Sequence, residues 1–497
     1  MTVRDRTHWH AAASALALPS KAFIDGQFQA AANGATFDCI NPATGQLLTQ
    51  VASCDVADAE LAVAAARRAF EQGDWCQLAP TERKRILCRW ADLIEAHIDT
   101  LALLESLDMG KPIGDALGYD APATARAIRW HAEAIDKLYD EVAPVDHSAL
   151  ALVTREPLGV VAAVVPWNFP LVMAAWKLGP SLATGNSVIL KPSEKSPLGA
   201  LFLASLAQEA GLPPGVFNVL PGFGHTVGEA LAMHMDVDCI TFTGSTAVGK
   251  HLLECAGRSN MKRAFMECGG KSAHIVCADV ADMDKAAATA AAAIFYNQGE
   301  VCTAGSRLLL DRAIAAPFIE RLKQQAEQWQ PGDPLDPNSA MGAIVDEAQM
   351  QRVLRYIEIG QAEGATLLCG GKAVRQDSGG YFIEPTIFTD VTPNMTIAQE
   401  EIFGPVLVVL SFDGIDQAVA IANDSDYGLA AGLWTSDIKT AIQGSRALRA
   451  GTVFVNNWDG GDMTMPFGGY KQSGNGRDKS LHAMEKYTEL KSTWIEL

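Results

Sequence analysis

The fold of this chain can be inferred from the segment Leu158-Gly159-Val160-Val161-Ala162-Ala163-Val164-Val165-Pro166-Trp167-Asn168-Phe169-Pro170. Its apolar, β-branched run at 160–165 is typical of a strand that is buried on both faces. Further strands are then predicted at 187–191, 216–220 and 239–243, and helices at 171–184, 197–210, 224–233 and 246–257. Strands that alternate with helices of this length indicate right-handed βαβ units, and therefore an α/β chain with a doubly wound parallel sheet.

The sequence predicts further elements on both sides of this region. A helix and an irregular arm are expected within residues 1–20, and a hairpin is expected at 22–28, because Asp25-Gly26 supplies the positive φ angles of a tight turn. Amphipathic helices are predicted near 56–71, 81–97, 98–108 and 120–138. A second α/β set is predicted, with strands at 272–277, 306–310 and 404–411 and helices at 282–298 and 314–329.

Composition limits the classes of protein to be considered. A chain of 497 residues predicts two or three domains. The net charge of −19 argues against nucleic acid as the main partner, because phosphate binding requires a basic face. No run of about 18 apolar residues is present, so no membrane span is expected. Ten cysteines without a CxxC motif or metal-ligand spacing predict a reduced, cytoplasmic protein with no metal site.

Two residues are candidates for covalent chemistry. Cys302 precedes Thr-Ala-Gly, where backbone N–H groups can stabilise both a thiolate and an oxyanion. Glu267 ends a short β-type run, and two glycines, Gly269 and Gly270, follow one residue later, so it could activate water against an acyl-enzyme at a closely packed site. Taken singly, each has a more ordinary interpretation, since most cysteines are small buried hydrophobic residues and most glutamates are solvated.

Residues at the ends of two predicted strands are candidates for ligand binding, since ligands of open α/β sheets bind at the carboxyl edge. Asn168 lies between two prolines, which suits a rigid amide donor to an oxyanion or, equally, a structural turn. Lys191 and Glu194 follow the next strand and could hold ribose hydroxyls. A carboxylate there repels a 2′-phosphate and favours NAD over NADP. A surface ion pair is the alternative interpretation.

Glycine turns mark two more positions at this edge. The run 242–251 nearly matches the phosphate-binding motif GxxxxGK[ST], but His251 replaces the hydroxyl that would hold Mg²⁺. We therefore expect Gly244 and Ser245 to open a helix whose N-terminus faces a pyrophosphate. Gly224 belongs to a second glycine turn, which on its own is more simply explained as structural.

Seven motifs together resemble the NAD(P)-dependent aldehyde dehydrogenase family over essentially the full length of the chain. They occur in the order and spacing of that family, which makes the set specific although each motif alone is weak. The motifs are PWNFP at 166–170, KPSE at 191–194, FTGST at 242–246, MECGGK at 266–271, NQGEVC at 297–302, EEIFGPV at 400–406 and PFGGYKQSGNGR at 466–477.

The resemblance implies roles for individual residues. Cys302 would be the nucleophile, Glu267 the general base, and Asn168 with the Cys302 N–H the oxyanion hole. Lys191 and Glu194 would hold the adenosine ribose, Ser245 would face the pyrophosphate, and Glu401 and Phe403 would position the nicotinamide ribose and ring. The full set of NAD-binding residues implied is Pro166, Trp167, Lys191, Glu194, Gly224, Gly244, Ser245, Glu401 and Phe403. The implied reaction oxidises an aldehyde through a thiohemiacetal and a thioester to a carboxylate.

One stretch resembles a bacterial subgroup that oxidises ω-aminoaldehydes in polyamine and arginine breakdown. In 456–466, Trp458, Asp459 and Asp462 would form a roomy, acidic opening for a cationic substrate, although a solvated acidic turn is the plain alternative. The substrates implied are 4-aminobutyraldehyde, 4-guanidinobutyraldehyde and γ-glutamyl-γ-aminobutyraldehyde. The apolar channel would be formed by Phe169, Met173 and Trp176. At Asp478 many members carry Glu, a conservative departure.

The resemblance also implies an organisation for the chain. An NAD-binding domain is expected at 1–137 and 158–267, a catalytic domain at 268–472, and oligomerisation segments at 138–157 and 473–497. A homo-oligomer, either a dimer or a dimer of dimers, is expected.

The sequence leaves four alternatives to this function, of which three are disfavoured. A broad-specificity or betaine-aldehyde-type enzyme is the alternative within the family, whereas a CoA-acylating member would lack Glu267. A P-loop nucleotide hydrolase is disfavoured by His251, and a catalytically silent structural relative is disfavoured by the retained Cys302 and Glu267.

Overall fold

The computed structural model describes residues 4–497, and the N-terminal part of this range is mainly helical. Asp25 and Gly26, with φ of +52° and +75°, form the predicted hairpin turn. The elements are α1 (Arg6–Ala15), β1 (Ala22–Ile24), β2 (Gln27–Gln29), β3 (Thr36–Asn41), β4 (Gln46–Ala52), α2 (Val56–Gln72), α3 (Pro80–Ala96), α4 (Ile98–Met109), α5 (Ile113–Asp115), α6 (Ala121–Ala134), β5 (Glu141–Ala143) and β6 (Ala149–Pro157). The predicted helices are therefore confirmed, with boundaries shifted by a few residues.

The predicted doubly wound sheet is confirmed. Its elements are β7 (Val160–Val164), α7 (Pro170–Ala183), β8 (Ser187–Lys191), α8 (Leu198–Ala210), β9 (Phe217–Val219), α9 (Glu229–Met233), β10 (Cys239–Thr243), α10 (Thr246–Arg258) and β11 (Arg263–Glu267). The helix predicted at 224–233 begins as a π-helical turn, Gly224–Gly228.

The strand order in this sheet is β11-β10-β7-β8-β9-β1-β2, and β7 to β11 are all parallel. Their carboxyl ends therefore share one edge. The chain reverses its direction of winding between β7 and β10, so these two strands flank a topological switch point, where open α/β sheets bind ligands.

A second seven-stranded sheet follows, with the order β14-β17-β18-β13-β12-β20-β21. The remaining elements of this part are β12 (Ala273–Val276), α11 (Met283–Phe295), β13 (Arg307–Asp311), α12 (Ala315–Ala326), α13 (Glu347–Ala362), β14 (Thr366–Cys369), β15 (Ala373–Val374), β16 (Phe382–Ile383), β17 (Thr386–Thr389), α14 (Thr396–Gln399), β18 (Val406–Phe412), α15 (Ile415–Asn423), β19 (Tyr427–Gly428), β20 (Ala430–Trp434), α16 (Ile438–Ala447), β21 (Thr452–Val455), β22 (Tyr470–Lys471) and α17 (Ser480–Glu485). The domain boundaries inferred from the sequence stay a prediction.

The last strand, β23 (Thr488–Glu496), pairs with β6 of the same chain in an antiparallel sheet of order β23-β6-β5. Because β23 lies at the end of that order, its second edge pairs with no strand among residues 4–497 of the same chain. Leu490 and Trp494 on this strand are exposed. Among the residues described, none of the helices has both the length and the apolar character that a membrane crossing requires.

Candidate active site

Cys302 follows a segment whose backbone is held in an unusual conformation. The helix predicted at 282–298 ends at Phe295, because Asn297 and Gln298 have φ of +49° and +57°. Such left-handed geometry is costly for residues other than glycine and persists only where the surroundings fix it. Here the buried Asn297 amide donates to the carbonyl oxygens of Asn168 (3.2 Å) and Glu300 (3.1 Å). These bonds fix the segment that leads to Cys302.

The same bonds join the Cys302 segment to the turn that contains Asn168. The Asn168 amide is buried and donates to the Glu300 carbonyl at 2.8 Å. An amide nitrogen carries two N–H groups, so one remains for a substrate oxygen. Asn168 is therefore rigidly held, as its position between two prolines predicts.

The environment of Cys302 keeps its thiol protonated. Burial, followed by the Glu401, Asp459 and Glu267 carboxylates, raises its pKa to about 12, and the Thr303 backbone N–H opposes that shift. A thiol with such a pKa is a weak nucleophile at neutral pH, because the thiolate is the reactive form. A base must therefore remove this proton for Cys302 to react.

Glu267 is buried at the end of β11, in space that is open because the neighbouring residues are glycines without a Cβ. A Cβ on Gly468 would lie 2.7 Å from Glu267 Oε1, and one on Gly476 would lie 3.1 Å from it. Neither Glu267 carboxyl oxygen has a hydrogen-bond partner among the residues described. Burial, reinforced by the Asp478 carboxylate, raises the pKa of Glu267 well above its usual range. Glu267 is thus suited to take up a proton from a reacting group.

A buried charge cluster beside Glu267 was not found by sequence reasoning. Lys177 Nζ and Lys486 Nζ donate to the two carboxylate oxygens of Asp478. Burial opposes ionisation of Asp478, but the two ammonium groups overcome it and hold the pKa of Asp478 below its usual range. The only sequence feature that pointed to this cluster was the departure from the family pattern at Asp478, and it did not identify the two lysines.

A cavity of about 1020 Å³ reaches Cys302 from the surface. Met173 and Trp176 on α7 line it together with Phe169, which precedes the first residue of that helix, so the apolar side chains predicted to form a channel lie together. Trp458, Asp459 and Asp462 line the same cavity. The sequence-based description missed a further group of lining side chains: Tyr119, Arg126, Lys285, Tyr296 and Phe467. Lys479 also lines the cavity and belongs to the segment 476–482, which the resemblance places at the substrate mouth.

The cavity is roomy, as predicted, but the charge of its lining differs from the prediction of an acidic opening. Arg126, Lys285 and Lys479 accompany the two aspartates, so cationic side chains outnumber anionic ones. Asp462 is exposed, and hydrogen bonds from the Thr464 backbone N–H and hydroxyl lower its pKa. The lining therefore offers both signs of charge to a substrate.

Asp459 and Trp458 are held by neighbours inside the cavity. Asp459 accepts a hydrogen bond from the Thr303 hydroxyl at 3.3 Å, next to Cys302. Although solvent reaches Asp459, surrounding protein atoms exclude enough water to raise the pKa of its carboxyl to about 6. Trp458 stacks on His274 with ring centroids 4.8 Å apart, so this face is already occupied. A cation can stack only on the remaining surface of the indole.

The sequence-predicted cofactor residues lie along the carboxyl edge of the first sheet. Ser245 caps α10, its side chain accepting from the Val248 N–H, and follows Gly244 at the end of β10. Lys191 Nζ lies 3.2 Å from Glu194 Oε2 at the end of β8. Gly224 opens the π-helical turn beyond β9. The buried Thr243 hydroxyl has no partner among the residues described, which leaves a donor at this edge.

Two further residues reach the edge from the 400–406 motif. Glu401 Oε1 accepts the Gly270 N–H at 3.0 Å, and burial raises the pKa of Glu401 to about 7. A Cβ on Gly269 would lie 2.1 Å from Glu401, so this approach requires glycine. Phe403, with φ of +60°, meets Trp167 edge-on at 5.2 Å, next to Pro166. A helix N-terminus, a Lys–Glu pair and this carboxylate together form a set of hydrogen-bond donors and acceptors that fits an extended dinucleotide.

Comparisons with known proteins agree with this arrangement. The model of the family described as "Aldehyde dehydrogenase family" matches residues 28–493. The chain is 56% identical over 497 residues to the NADP/NAD-dependent aldehyde dehydrogenase PuuC of Escherichia coli K12, with 100% of each chain covered. It is 60% identical to the crystal structure of γ-glutamyl-γ-aminobutyraldehyde dehydrogenase from Burkholderia cenocepacia J2315, with TM-score 0.98 and coverage of 99% and 100%. The same identity, TM-score and coverage hold for the C302A mutant of P. syringae AldA indole-3-acetaldehyde dehydrogenase in complex with NAD+ and IAA.

Proposed function

The chain belongs to the aldehyde dehydrogenase family, and we propose that it oxidises an ω-aminoaldehyde to the carboxylate with NAD+. The observation that carries this proposal is the cavity of about 1020 Å³, which is lined by Cys302 and also by the charged side chains of Asp459 and Lys479. An aldehyde group can reach the thiol while a charged tail in the same cavity meets those side chains.

Cys302 forms the bond to the substrate. Its proton passes to a base, the thiolate sulfur adds to the aldehyde carbon, and the carbonyl oxygen becomes an oxyanion. The free N–H of Asn168 and the Cys302 backbone N–H hold that oxyanion. Loss of hydride from the same carbon leaves a thioester on Cys302. The rigid hydrogen bonds around Asn168 and Asn297 support this assignment, because an oxyanion hole requires donors fixed in advance.

Glu267 completes the reaction as the general base. It accepts a proton from water, the resulting hydroxide attacks the thioester carbon, and the carboxylate product leaves as Cys302 regains its proton. The raised pKa of Glu267 supports this role, since a carboxyl with an ordinary pKa would be a poor proton acceptor near neutral pH. A side chain at Gly468 or Gly476 would crowd this carboxyl, since a Cβ there would lie 2.7 Å or 3.1 Å from Glu267 Oε1.

NAD+ supplies the hydride acceptor when bound. Lys191 and Glu194 hold its adenosine ribose, Ser245 and Gly244 face its pyrophosphate, and Glu401 and Phe403 position the nicotinamide half. Pro166, Trp167 and Gly224 complete the edge. NAD+ is preferred over NADP+, because Glu194 repels a 2′-phosphate. The relative PuuC is described as NADP/NAD-dependent, so both cofactors need to be compared for this chain.

The mixed charges of the cavity favour γ-glutamyl-γ-aminobutyraldehyde among the three aminoaldehydes. Its glutamyl end carries both an ammonium and a carboxylate, which suit Asp459 and Lys479 respectively. The cationic tail of a simple aminoaldehyde or guanidinoaldehyde can pair only with the two aspartates. Such a substrate has no anionic group to pair with the three cationic side chains of the lining. The name of the B. cenocepacia relative is in keeping with this choice.

An aromatic aldehyde is the second candidate substrate. Phe169, Trp176 and Phe467 line the cavity, with Trp176 and Phe467 ring centroids 5.1 Å apart. Such a wall accommodates an indole ring by stacking. The P. syringae relative, an indole-3-acetaldehyde dehydrogenase, directs attention to this class.

A substrate panel tests the proposal. kcat/KM is measured with NAD+ and NADP+ for γ-glutamyl-γ-aminobutyraldehyde, 4-aminobutyraldehyde, 4-guanidinobutyraldehyde, betaine aldehyde, indole-3-acetaldehyde and propanal. The proposal predicts the highest value for one of the first three with NAD+. A highest value for indole-3-acetaldehyde would establish the second candidate instead, and equal values throughout would indicate a broad-specificity enzyme.

The proposal includes a homo-oligomer, either a dimer or a dimer of dimers, formed by 138–157 and 473–497. The unpaired edge of β23 and its exposed Leu490 and Trp494 support it, because an open strand edge is usually covered. Cytoplasmic location is supported by the ten free cysteines. A single-chain mass by light scattering at micromolar concentration would contradict the oligomer.

A further inference from the structure

His251 lies next to two other side chains that bind metal ions in proteins. His251 and Cys255 are one turn apart on α10, so both project from the same face of the helix. Cys255 Sγ lies 3.6 Å from His251 Nε2, and His251 Nε2 lies 3.5 Å from Glu229 Oε2 at the start of α9. The three atoms all lie within 4.8 Å of one another.

From this geometry we infer that Glu229, His251 and Cys255 form a binding site for a divalent zinc-class cation, which links α9 to α10. Zinc bonds to sulfur, nitrogen and oxygen ligands are about 2.0–2.3 Å long, which places the ligand atoms of a tetrahedral site about 3.3–3.7 Å apart. Two of the three separations in this cluster already match that range. The third separation, between Glu229 and Cys255, is at most 4.8 Å.

The ligand set selects the class of metal. One thiol, one imidazole and one carboxylate form a combination that zinc accepts, whereas calcium and magnesium take oxygen ligands. The side chains of Glu229 and His251 are 42% and 44% exposed, and Cys255 is buried beneath them. A metal ion can therefore enter from solvent and keep a water molecule in the fourth position, as open zinc sites do.

Metal binding by Cys255 requires the thiolate, so binding releases the thiol proton.

The sequence prediction of no metal site missed this cluster for an identifiable reason. The HxxxC spacing of His251 and Cys255 gives two ligands on one helical face, but the third ligand is separated from them by β10. The plain alternative is a His–Glu ion pair with a thiol hydrogen bond. His234 provides a matched example of that alternative, since its Nε2 lies 3.2 Å from Glu60 and the metal-type cluster does not include it.

Cobalt(II) titration of the full chain tests the inference. All titrations are carried out in a Cys302→Ala background, because the nucleophile can itself bind soft metals. We expect one cobalt ion per chain, with the visible bands of tetrahedral cobalt and a thiolate-to-cobalt charge-transfer band, both removed by stoichiometric zinc. Cys255→Ser should abolish the charge-transfer band, and His251→Ala and Glu229→Gln should each weaken zinc binding at least about tenfold.

The test does not depend only on a variant that could fail to fold, because two of the three proposed ligands are exposed. If Cys255→Ser destabilises the chain, His251→Ala and Glu229→Gln still report on the site, since both residues face solvent. His234→Ala, the matched control, should leave cobalt binding unchanged. Absence of the charge-transfer band in the Cys302→Ala background, or equal zinc affinity in His251→Ala, Glu229→Gln and their parent, would overturn the inference.

Discussion

The Lys177 ammonium donates a hydrogen bond to the Asp478 carboxylate, 301 residues away in the sequence, and both side chains are buried. The Asp478 charge raises the pKa of Glu267, whereas the charges of Lys177 and Lys486 lower it. The proton affinity of Glu267 therefore depends on three side chains that do not contact the substrate cavity. This relationship determines how the activity should vary with pH.

Replacing Asp478 with Asn should lower the pKa of Glu267, because one negative charge is removed and two ammonium groups remain. The acidic limb of the kcat–pH profile should move to lower pH by about one unit, the low end of the effect of a nearby charge. Lys177→Gln should move it to higher pH. Asp462→Asn, an exposed substitution at the cavity, is the control that should leave the limb in place. Identical profiles for all four proteins would contradict the role assigned to this cluster.

Replacing Glu194 with Gln should narrow the preference for NAD+ over NADP+. The carboxylate accepts a hydrogen bond from a 2′-hydroxyl and repels a 2′-phosphate, and its side chain is 33% exposed. An exposed charge contributes about 1 kcal/mol at most, so the ratio of kcat/KM values should change by no more than about fivefold. Glu209→Gln, an exposed acid on α8, is the matched control. An unchanged ratio in Glu194→Gln would remove the basis of the cofactor preference.

Replacing Asp459 with Asn should raise KM several-fold for aldehydes with a cationic tail and leave KM for propanal unchanged, whereas the effect of the lost charge on the pKa of Cys302 is common to all substrates. Because the pKa of Asp459 is raised to about 6, KM for cationic substrates should also increase in the parent protein as pH falls through that value. Lys479→Gln should instead raise KM for γ-glutamyl-γ-aminobutyraldehyde and spare 4-aminobutyraldehyde. Equal losses for propanal in both variants would mean that these side chains only shape the cavity.

Acid should destabilise the protein partly through His131. Burial lowers the pKa of His131 to about 4, below the usual value of 6.5, so the unfolded chain binds the proton more tightly. Stability is therefore complete above pH 6.5 and is lost as pH falls towards 4, by at most roughly 3 kcal/mol. The apparent Tm of His131→Asn should decrease less between pH 7 and pH 5 than that of the parent. Parallel decreases would show that other groups dominate.

The sequence predicted most of the first sheet and the edge at which the motifs meet. This succeeded because parallel strands place their carboxyl ends together, so Asn168, Lys191 and Ser245 had to lie on one edge once the βαβ pattern was recognised. The predicted end of the helix at residue 298 was wrong, because Asn297 has a positive φ that is fixed by hydrogen bonds to Asn168 and Glu300. No local pattern encodes such bonds, because one partner is distant in the sequence.

Contacts between distant segments account for the remaining differences. No sequence pattern indicated that Lys177, Asp478 and Lys486 lie together. The cavity is likewise lined by cationic side chains from three separate regions of the sequence, Arg126, Lys285 and Lys479. The acidic residues of the 456–466 stretch were read without those cations, so the charge of the opening was misjudged. Cys302 and Glu267 were identified by their motifs, whereas the causes of their raised pKa values required the three-dimensional arrangement.

The central claim is that oxidation proceeds through a thioester on Cys302 that Glu267 helps to hydrolyse. The most direct test mixes the Glu267→Gln variant with NAD+ and γ-glutamyl-γ-aminobutyraldehyde, quenches the mixture in acid within one turnover, and measures the intact mass and the modified peptide. The account predicts one acyl group per active chain, attached to Cys302, formed with a burst of NADH and lost slowly. The parent protein should show little adduct. A burst without an adduct, or an adduct on another cysteine, would contradict the account.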